Sequence, residues 1–317
     1  MRKAPKVVLI TAAALIGTGA LLAGGTWAAA GFDLSRLSTV DYDWEQTVRE
    51  LDSEATAPHS RIVVRSDCEG VRFEQASGDA IELEYWTGNA QRVGVDDADG
   101  TLTVDVKSTP MDGVMLDLSP AEAGGVSDTT TVIRVPASFT GAIEVESASS
   151  EVFLDRLHGL SNVSLSNGNG STTLNDVSAR EIVSRNKNGE SLLSAVEADA
   201  LTVTSKNGEI SLGGVDARVA NVGNKNGDVI LADVSASELM TCENKNGEIF
   251  AQVLALAGGA FSSSNGDIGL SCVGSEGDYR IDAYSDNGDV DAPRGNFDAT
   301  RTLRAENKNG DIRIAFS

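Results

Sequence analysis

An Asn-Gly pair recurs through the second half of this chain at a step close to 20 residues, and few folds accommodate punctuation that regular. The pairs begin at Asn167, Asn188, Asn207, Asn226, Asn246, Asn265, Asn287 and Asn309, with steps of 19, 19, 20, 19, 22 and 22 from Asn188 onward. Asn169-Gly170 lies 19 residues before Asn188 and fits the register better than Asn167. Alone, Asn-Gly between alternating apolar flanks signals a β-hairpin turn. Repeated at a fixed period, it signals stacked structural repeats.

Alignment of seven copies on their Asn, from Asn188 to Asn309, shows which positions are constrained. Three residues after Asn stand Ser191, Ile210, Val229, Ile249, Ile268, Val290 and Ile312, and five after stand Leu193, Leu212, Leu231, Ala251, Leu270, Ala292 and Ile314. Five copies add Val196, Val215, Val234, Leu254 and Val273 eight residues after Asn. Apolar or small residues also stand six and four before Asn, as in Leu201 with Val203 and Met240 with Cys242. Alternation of this kind places one face of each short strand inward. Two before Asn, on the same inward parity, every copy has Ser or Asn, from Asn186 and Ser205 to Asn307. Small polar side chains there are expected to hydrogen-bond their counterparts above and below as a ladder.

Two architectures satisfy this parity. A hairpin meander pairs the residues flanking Asn-Gly, whereas a parallel β-solenoid makes each copy one coil with Asn-Gly at a corner. The solenoid accounts better for identical residue types at equivalent positions, because stacking requires them and a meander needs only alternation. Ordering one copy costs on the order of 20–40 kcal/mol, and burying five apolar side chains returns roughly 8–15 kcal/mol. A single copy therefore cannot fold alone, and the array is expected to fold as a unit.

Upstream, "SRIVVRS", "VRFEQ", "AIELEYW", "GTLTVDVK", "TTVIRVP", "GAIEVES" and "EVFLDRL" continue the β-type alternation between Gly, Asp and Ser punctuation. The fold class expected is all-β, a parallel β-solenoid of 19–22-residue coils over residues 59–317, preceded by one N-terminal transmembrane helix. Residues 31–58 read as a juxtamembrane spacer, partly helical around 43–52, and 110–128 as an irregular, mobile insertion.

The helix expectation rests on residues 7–30, within a run of 26 uncharged residues that follows the basic tail 1–6 and ends at Asp33. About 20 apolar residues span a bilayer as helix. Arg2, Lys3 and Lys6 precede the run, and Asp33, Asp41 and Asp43 follow it. That asymmetry puts the N-terminus in the cytoplasm and the rest outside. Trp27 at the outer end suits an interfacial anchor. A cleaved signal sequence is the other reading, since "WAAA" at 27–30 supplies small residues, although the apolar core exceeds the usual length. The expected location is thus the cell membrane, single-pass, with an extracytoplasmic C-terminal domain, or the exterior if the segment is cleaved.

From residue 31 onward, 22 basic residues face 47 acidic ones. A surface so acidic repels phosphate backbones, so nucleic acid is not an expected partner. Three cysteines, Cys68, Cys242 and Cys272, are too few and odd in number for a disulfide framework.

The "NKNGEI" and "NKNGDV" copies, the leading "PHSRIVVRSDCEGVRF", the "VIRVPASFTGAIEVES" stretch and the N-terminal apolar run resemble a bacterial putative-adhesin family of unknown function. The resemblance covers residues 59–317. It implies a membrane-attached β-strand-repeat solenoid without established catalytic residues. Some family members are encoded beside PadR-type regulators and a small membrane protein, which implies envelope sensing.

The corners carry charged residues. Two residues after Asn every copy is acidic, from Glu190 to Asp311, and Lys187, Lys206, Lys225, Lys245 and Lys308 immediately precede Asn in five copies. Like charges stacked about 4.8 Å apart repel, so a lysine column beside an acidic one is expected to balance the edge. Ser264 and Asp286 replace Lys in two copies, leaving Asp267, Asp282, Asp286, Asp289 and Asp291 as weak candidates for a calcium site. No catalytic residues are expected. His59 and His158 stand apart from any nucleophile or metal-ligand pattern, and acids repeated at every corner suit a lattice more than one reaction. The function expected is a non-enzymatic envelope module binding a surface ligand or protein. The alternatives are a structural or signalling partner in envelope-stress sensing and, behind it, a polysaccharide-acting β-helix hydrolase.

Overall fold

A computed structural model describes residues 44–51, 59–109 and 129–317. The basic tail, the apolar run, most of the spacer and the 110–128 insertion lie outside the described residues. Contacts divide the chain into two units. Of the smaller, only 44–45, 87–90 and Thr109 are described, with the Thr109 amide donating to the Ala90 carbonyl at 2.8 Å. The larger comprises Gln46–Trp86, Gln91–Ser108 and Thr129–Ser317 and carries the coils. Among the described residues no helix is long and apolar enough to cross a membrane.

The strands, in chain order, are β1 (Glu45–Leu51), β2 (Arg61–Ser66), β3 (Val71–Gln75), β4 (Ile81–Thr87), β5 (Gln91–Ala98), β6 (Thr101–Ser108), β7 (Thr131–Val135), β8 (Ala142–Ser147), β9 (Val152–Asn167) and β10 (Thr172–Asn188). They continue with β11 (Ser191–Asn207), β12 (Ile210–Asn226), β13 (Val229–Asn246), β14 (Ile249–Leu256), β15 (Gly259–Asn265), β16 (Ile268–Cys272), β17 (Tyr279–Asn287), β18 (Val290–Asp291), β19 (Arg301–Asn309) and β20 (Ile312–Phe316).

The parallel solenoid is what the repeat builds. Ile210 pairs in register with Val229 and Leu212 with Leu231, and the same one-coil offset runs from β9 through β16. Pairing lapses at three places in each coil, as at Asp176/Ala195, Arg180/Asp199 and Lys187/Lys206, so each coil turns three corners. Most of the inward set predicted from periodicity is buried, including Leu193, Val196, Leu201 and Val203, and Ala198 joins it, whereas Val273 and Val290, where the last coils depart from the repeat, are exposed. The parity switch between Ala198 and Leu201 marks the middle corner.

Why Asn-Gly turns a corner here and not a hairpin follows from backbone angles. A type I′ hairpin needs positive φ at both central residues. Asp99-Gly100 meets that requirement, with φ of 53° and 71°, and joins β5 to β6 as an antiparallel hairpin. In the Asn-Gly pairs from Asn188 to Asn265 only the glycine is positive, at 122–136°. Each such glycine also lies under its neighbour: a Cβ on Gly227 would sit 2.3 Å from the Gly208 carbonyl oxygen. The corner on the other side of the inward Leu–Val pair is left-handed as well, but there Ala195, Asp233 and Val253 adopt φ of 53–56° without glycine.

Coil order departs from chain order at both ends. β2 and β3 lie between β6/β7 on one side and β8/β9 on the other. At the opposite end β19/β20 lies between β15/β16 and β17/β18. Beyond β6 and β7 the chain adds β5 and β4 in antiparallel pairing, and β1 joins β4. The helix expected around 43–52 is therefore a strand over Glu45–Leu51. Its residues find ladder partners on β4, with Gln46 Nε2 donating to Glu84 Oε1 at 2.5 Å, and tertiary pairing overrides local helix preference.

Candidate functional site

The coils present three candidate surfaces: the Asn-Gly edge, a groove along the middle corner, and the terminal edge at β17/β18. At the first, the turn asparagines themselves form the side-chain ladder. Asn207 Nδ2 donates to Asn188 Oδ1 at 2.8 Å, Asn226 to Asn207 at 2.8 Å and Asn246 to Asn226 at 2.8 Å. The second amide hydrogen reaches a backbone carbonyl of the neighbouring coil, as from Asn226 to Lys206 at 3.2 Å. The ladder thus sits two residues from where periodicity predicted it. The inward residue at the predicted position bonds backbone instead: Asn186 Nδ2 donates to the Gly170 and Glu190 carbonyls at 2.9 and 3.1 Å. Its geometry faces the close-stacked glycine corner, where carbonyls converge and neighbouring side chains do not.

The acidic column also serves stacking where the residue is Asp. Asp228 Oδ1 accepts the Glu248 amide at 2.9 Å, Asp267 Oδ1 the Asp311 amide at 2.8 Å, and Asp311 Oδ1 the Asp289 amide at 2.8 Å. The short Asp side chain reaches the next coil's N–H. Among the described residues no ion pair joins the five corner lysines to these acids. The lysine column lies beside the carboxylates as a diffuse counter-charge, not as bonded pairs.

The groove follows the middle corner past Gly159, Ser178, Glu197 and Asp216, with Ala179 and Ala198 as its floor and Arg180 and Arg218 beside it. Asp216 Oδ1 accepts from Ser235 Oγ at 2.8 Å, and Arg218 Nη1 contacts Glu238 Oε2 at 2.5 Å. These charges are engaged with their neighbours on adjacent coils rather than converging on one point.

The five candidate calcium ligands lie on two coils that are not adjacent. Asp267 belongs to the β15–β16 corner, whereas Asp282 and Asp286 lie on β17, Asp289 at the β17–β18 corner and Asp291 on β18. Insertion of β19/β20 separates Asp267 from the other four. It also brings cations: Asp282 stands in register with Arg304, and Asp291 Oδ2 lies 3.8 Å from Arg313 Nε. Among the described residues no group of three His, Cys, Asp or Glu side chains is arranged to hold a metal ion.

The histidines pair with single carboxylates, His59 Nε2 with Asp97 at 2.9 Å and His158 Nε2 with Asp176 at 3.5 Å. All three cysteines are free. Burial pushes the Cys242 thiol up to about 12, with Glu243 adding to it, and burial pushes Cys272 up to about 11. Cys68 is exposed.

At the terminal edge, among the described residues, β17 and β18 pair only with β19 and β20. Tyr284, Val290 and Phe297 are exposed there at 60%, 44% and 79%. The Tyr284 phenol is hydrogen-bonded to Asp286, which raises its pKa above the ordinary value. This edge was not foreseen, because periodicity assigns every copy the same two neighbours.

Fold and corners together define a β-solenoid repeat protein whose polar columns are committed mainly to holding coils in register. More specifically, the chain belongs to the Toastrack DUF4097 family, whose model matches residues 59–315. The comparison with curated proteins gives no match. Among solved structures, the chain is similar to a putative adhesin from Bacteroides fragilis at 12% identity and a TM-score of 0.41, covering 85% of this chain and 97% of that one. A putative adhesin from Parabacteroides distasonis gives 12% and 0.42, with 86% and 98% covered. A putative lipid binding protein from the same species gives 12% and 0.42, with 86% and 99% covered.

Proposed function

We propose that the chain is a non-enzymatic binding module of the cell envelope, held to the membrane through its N-terminal apolar run with the coils outside. The observation that carries this reading is the use of the corner acids. Asp228, Asp267 and Asp311 accept backbone N–H groups of adjacent coils, so these corner aspartates work as lattice acceptors instead of as a paired acid and base. A scaffold stacked in this way presents its surfaces with little conformational entropy left to lose on binding.

Topology is testable through Cys68, which is exposed while Cys242 and Cys272 are buried. A membrane-impermeant maleimide applied to intact cells is expected to label Cys68, with the chain fractionating with membranes. Labelling only after lysis would overturn the reading. Deletion of the gene is expected to reduce attachment to surfaces or partner cells. Unchanged attachment with altered envelope-stress transcription would replace binding by a relay role.

A further inference from the structure

We propose that the open β17/β18 edge takes an extended, basic segment of a partner protein as one more parallel strand, an inference that names the partner class of the binding module above. The edge strand carries the row of unpaired N–H and C=O groups that such addition uses. The carbonyls of Asn287 and Asp289 accept from Gly310 and Ile312 at 3.1 and 2.9 Å. Alternate residues of a parallel strand address opposite neighbours, so Asp282, Tyr284, Asp286 and Gly288 direct their backbone groups away from β19.

The repeat itself shows what an added strand would meet. Every ladder asparagine from Asn188 to Asn309 both donates to one neighbour and accepts from the other, and the series ends with Asn287 donating to Asn309 Oδ1 at 3.1 Å. Asn287 Oδ1 has no donor among the described residues. The Asp289 carboxylate ends the acidic column in the same way: Asp267 and Asp311 each accept an amide from the coil beyond them, and among the described residues no coil stands beyond Asp289. Both are acceptors, set at the spacing at which the preceding coils receive an amide.

Charge selects the occupant. Seven acids and two arginines lie between Glu276 and Asp298, and Asp282 and Asp286 point outward on β17 beside exposed Tyr284. Two copies of this edge would bring those acids face to face. Nor can the opposite end of another copy complete it, because that end is finished by antiparallel strands β4 and β5. A strand with alternating basic and apolar side chains satisfies the acceptors, the acids and the exposed Tyr284 and Val290 together.

The test uses the full chain in a nonionic detergent and fluorescent peptides nine residues long, the length of β17, one alternating Lys and Val and one alternating Glu and Val. The Lys-Val peptide is expected to bind, more weakly as salt rises, and the Glu-Val peptide to fail. Tyr284→Pro removes an outward N–H at an edge, where Pro is tolerated, and is expected to weaken binding by about tenfold or more with an unchanged Tm. Asp282→Asn with Asp286→Asn, which leaves the backbone intact, should weaken it by about threefold to tenfold. Equal binding by this pair and by a folded Tyr284→Pro overturns the proposal, as does self-association of the chain that the Pro variant abolishes. Cell attachment without any Lys-Val binding sinks the edge and spares the module. Lys-Val binding without Cys68 labelling of intact cells does the reverse.

Discussion

At the N-terminal end the outermost parallel strands, β6 and β7, are covered by β5 and β4 running the opposite way, whereas at the C-terminal end no described strand lies beyond β17 and β18. The two ends otherwise share one manoeuvre, since each tucks a chain-terminal coil into second place. The difference shows that burying the last coil and closing the sheet edge are separate problems. Antiparallel pairing solves the second, because its hydrogen-bond pattern cannot be mistaken for another parallel coil. Arg134 reinforces that closure. Its guanidinium reaches Glu74 on β3 at 2.7 Å, and Glu84 and Glu82 on β4 at 3.0 and 3.8 Å.

The comparison can be broken most forcefully at the glycine column. Gly227→Ala places a Cβ 2.3 Å from the Gly208 carbonyl oxygen at φ of 122°, and a loss of about 4 kcal/mol or more is expected in denaturant unfolding. Gly288→Ala meets the Gly310 carbonyl oxygen at 2.1 Å, but its coil is outermost and free to yield outward, so the loss should be smaller. Equal losses would show that the terminal edge is as constrained as the middle.

Alkaline pH loads the buried thiols. Burial holds their folded pKa values, about 12 for Cys242 and about 11 for Cys272, above the ordinary thiol value of 9.0. The stability they contribute is complete below pH 9.0 and is lost as pH rises toward the folded values. Each thiol adds a slope of about 1.4 kcal/mol per pH unit in that window. Melting followed between pH 8 and 11 should show this fall, and Cys242→Ala should make it shallower. Arg134→Ala leaves three glutamates facing one another and should cost about 1–2 kcal/mol, with amide exchange in β4 accelerated toward that of β17. If β4 exchange does not change, the antiparallel cap does not depend on this ion cluster. Smallest, and opposite in sign, is Val253→Gly. Val253 is β-branched, exposed and held at φ of 56°, so relief of left-handed strain should raise stability by about 1 kcal/mol.

The solenoid and its inward residues were legible because stacking writes the same side chain at the same place in every coil. The order of the last coils was not, for the same reason: copies that resemble one another are interchangeable in pattern, and parity cannot distinguish Asp289 from Asp311 as the neighbour of Asp267. A trace of the exchange survives in the two 22-residue steps. Residues 273–278 carry the chain past one coil, and 292–300 bring it back. The ladder was misplaced because parity identifies which side chains point inward and says nothing about corner residues, whose direction is set by the turn. The separation of Asp267 from the other four calcium candidates has the same origin, since they are grouped along the chain and the inserted coil parts them.

The tucked coils also bear on how the protein comes apart under load. A solenoid stacked in chain order can be unwound from a free end, one coil at a time, each leaving a single interface. Here β2 and β20 are the first and last parallel strands in chain order, and each is held between neighbours on both sides. Traction on either side must shear two ladders together before any coil is released. Force spectroscopy should therefore record a high first rupture followed by lower, regular steps, the mark of a thread knotted off at both ends of its spool.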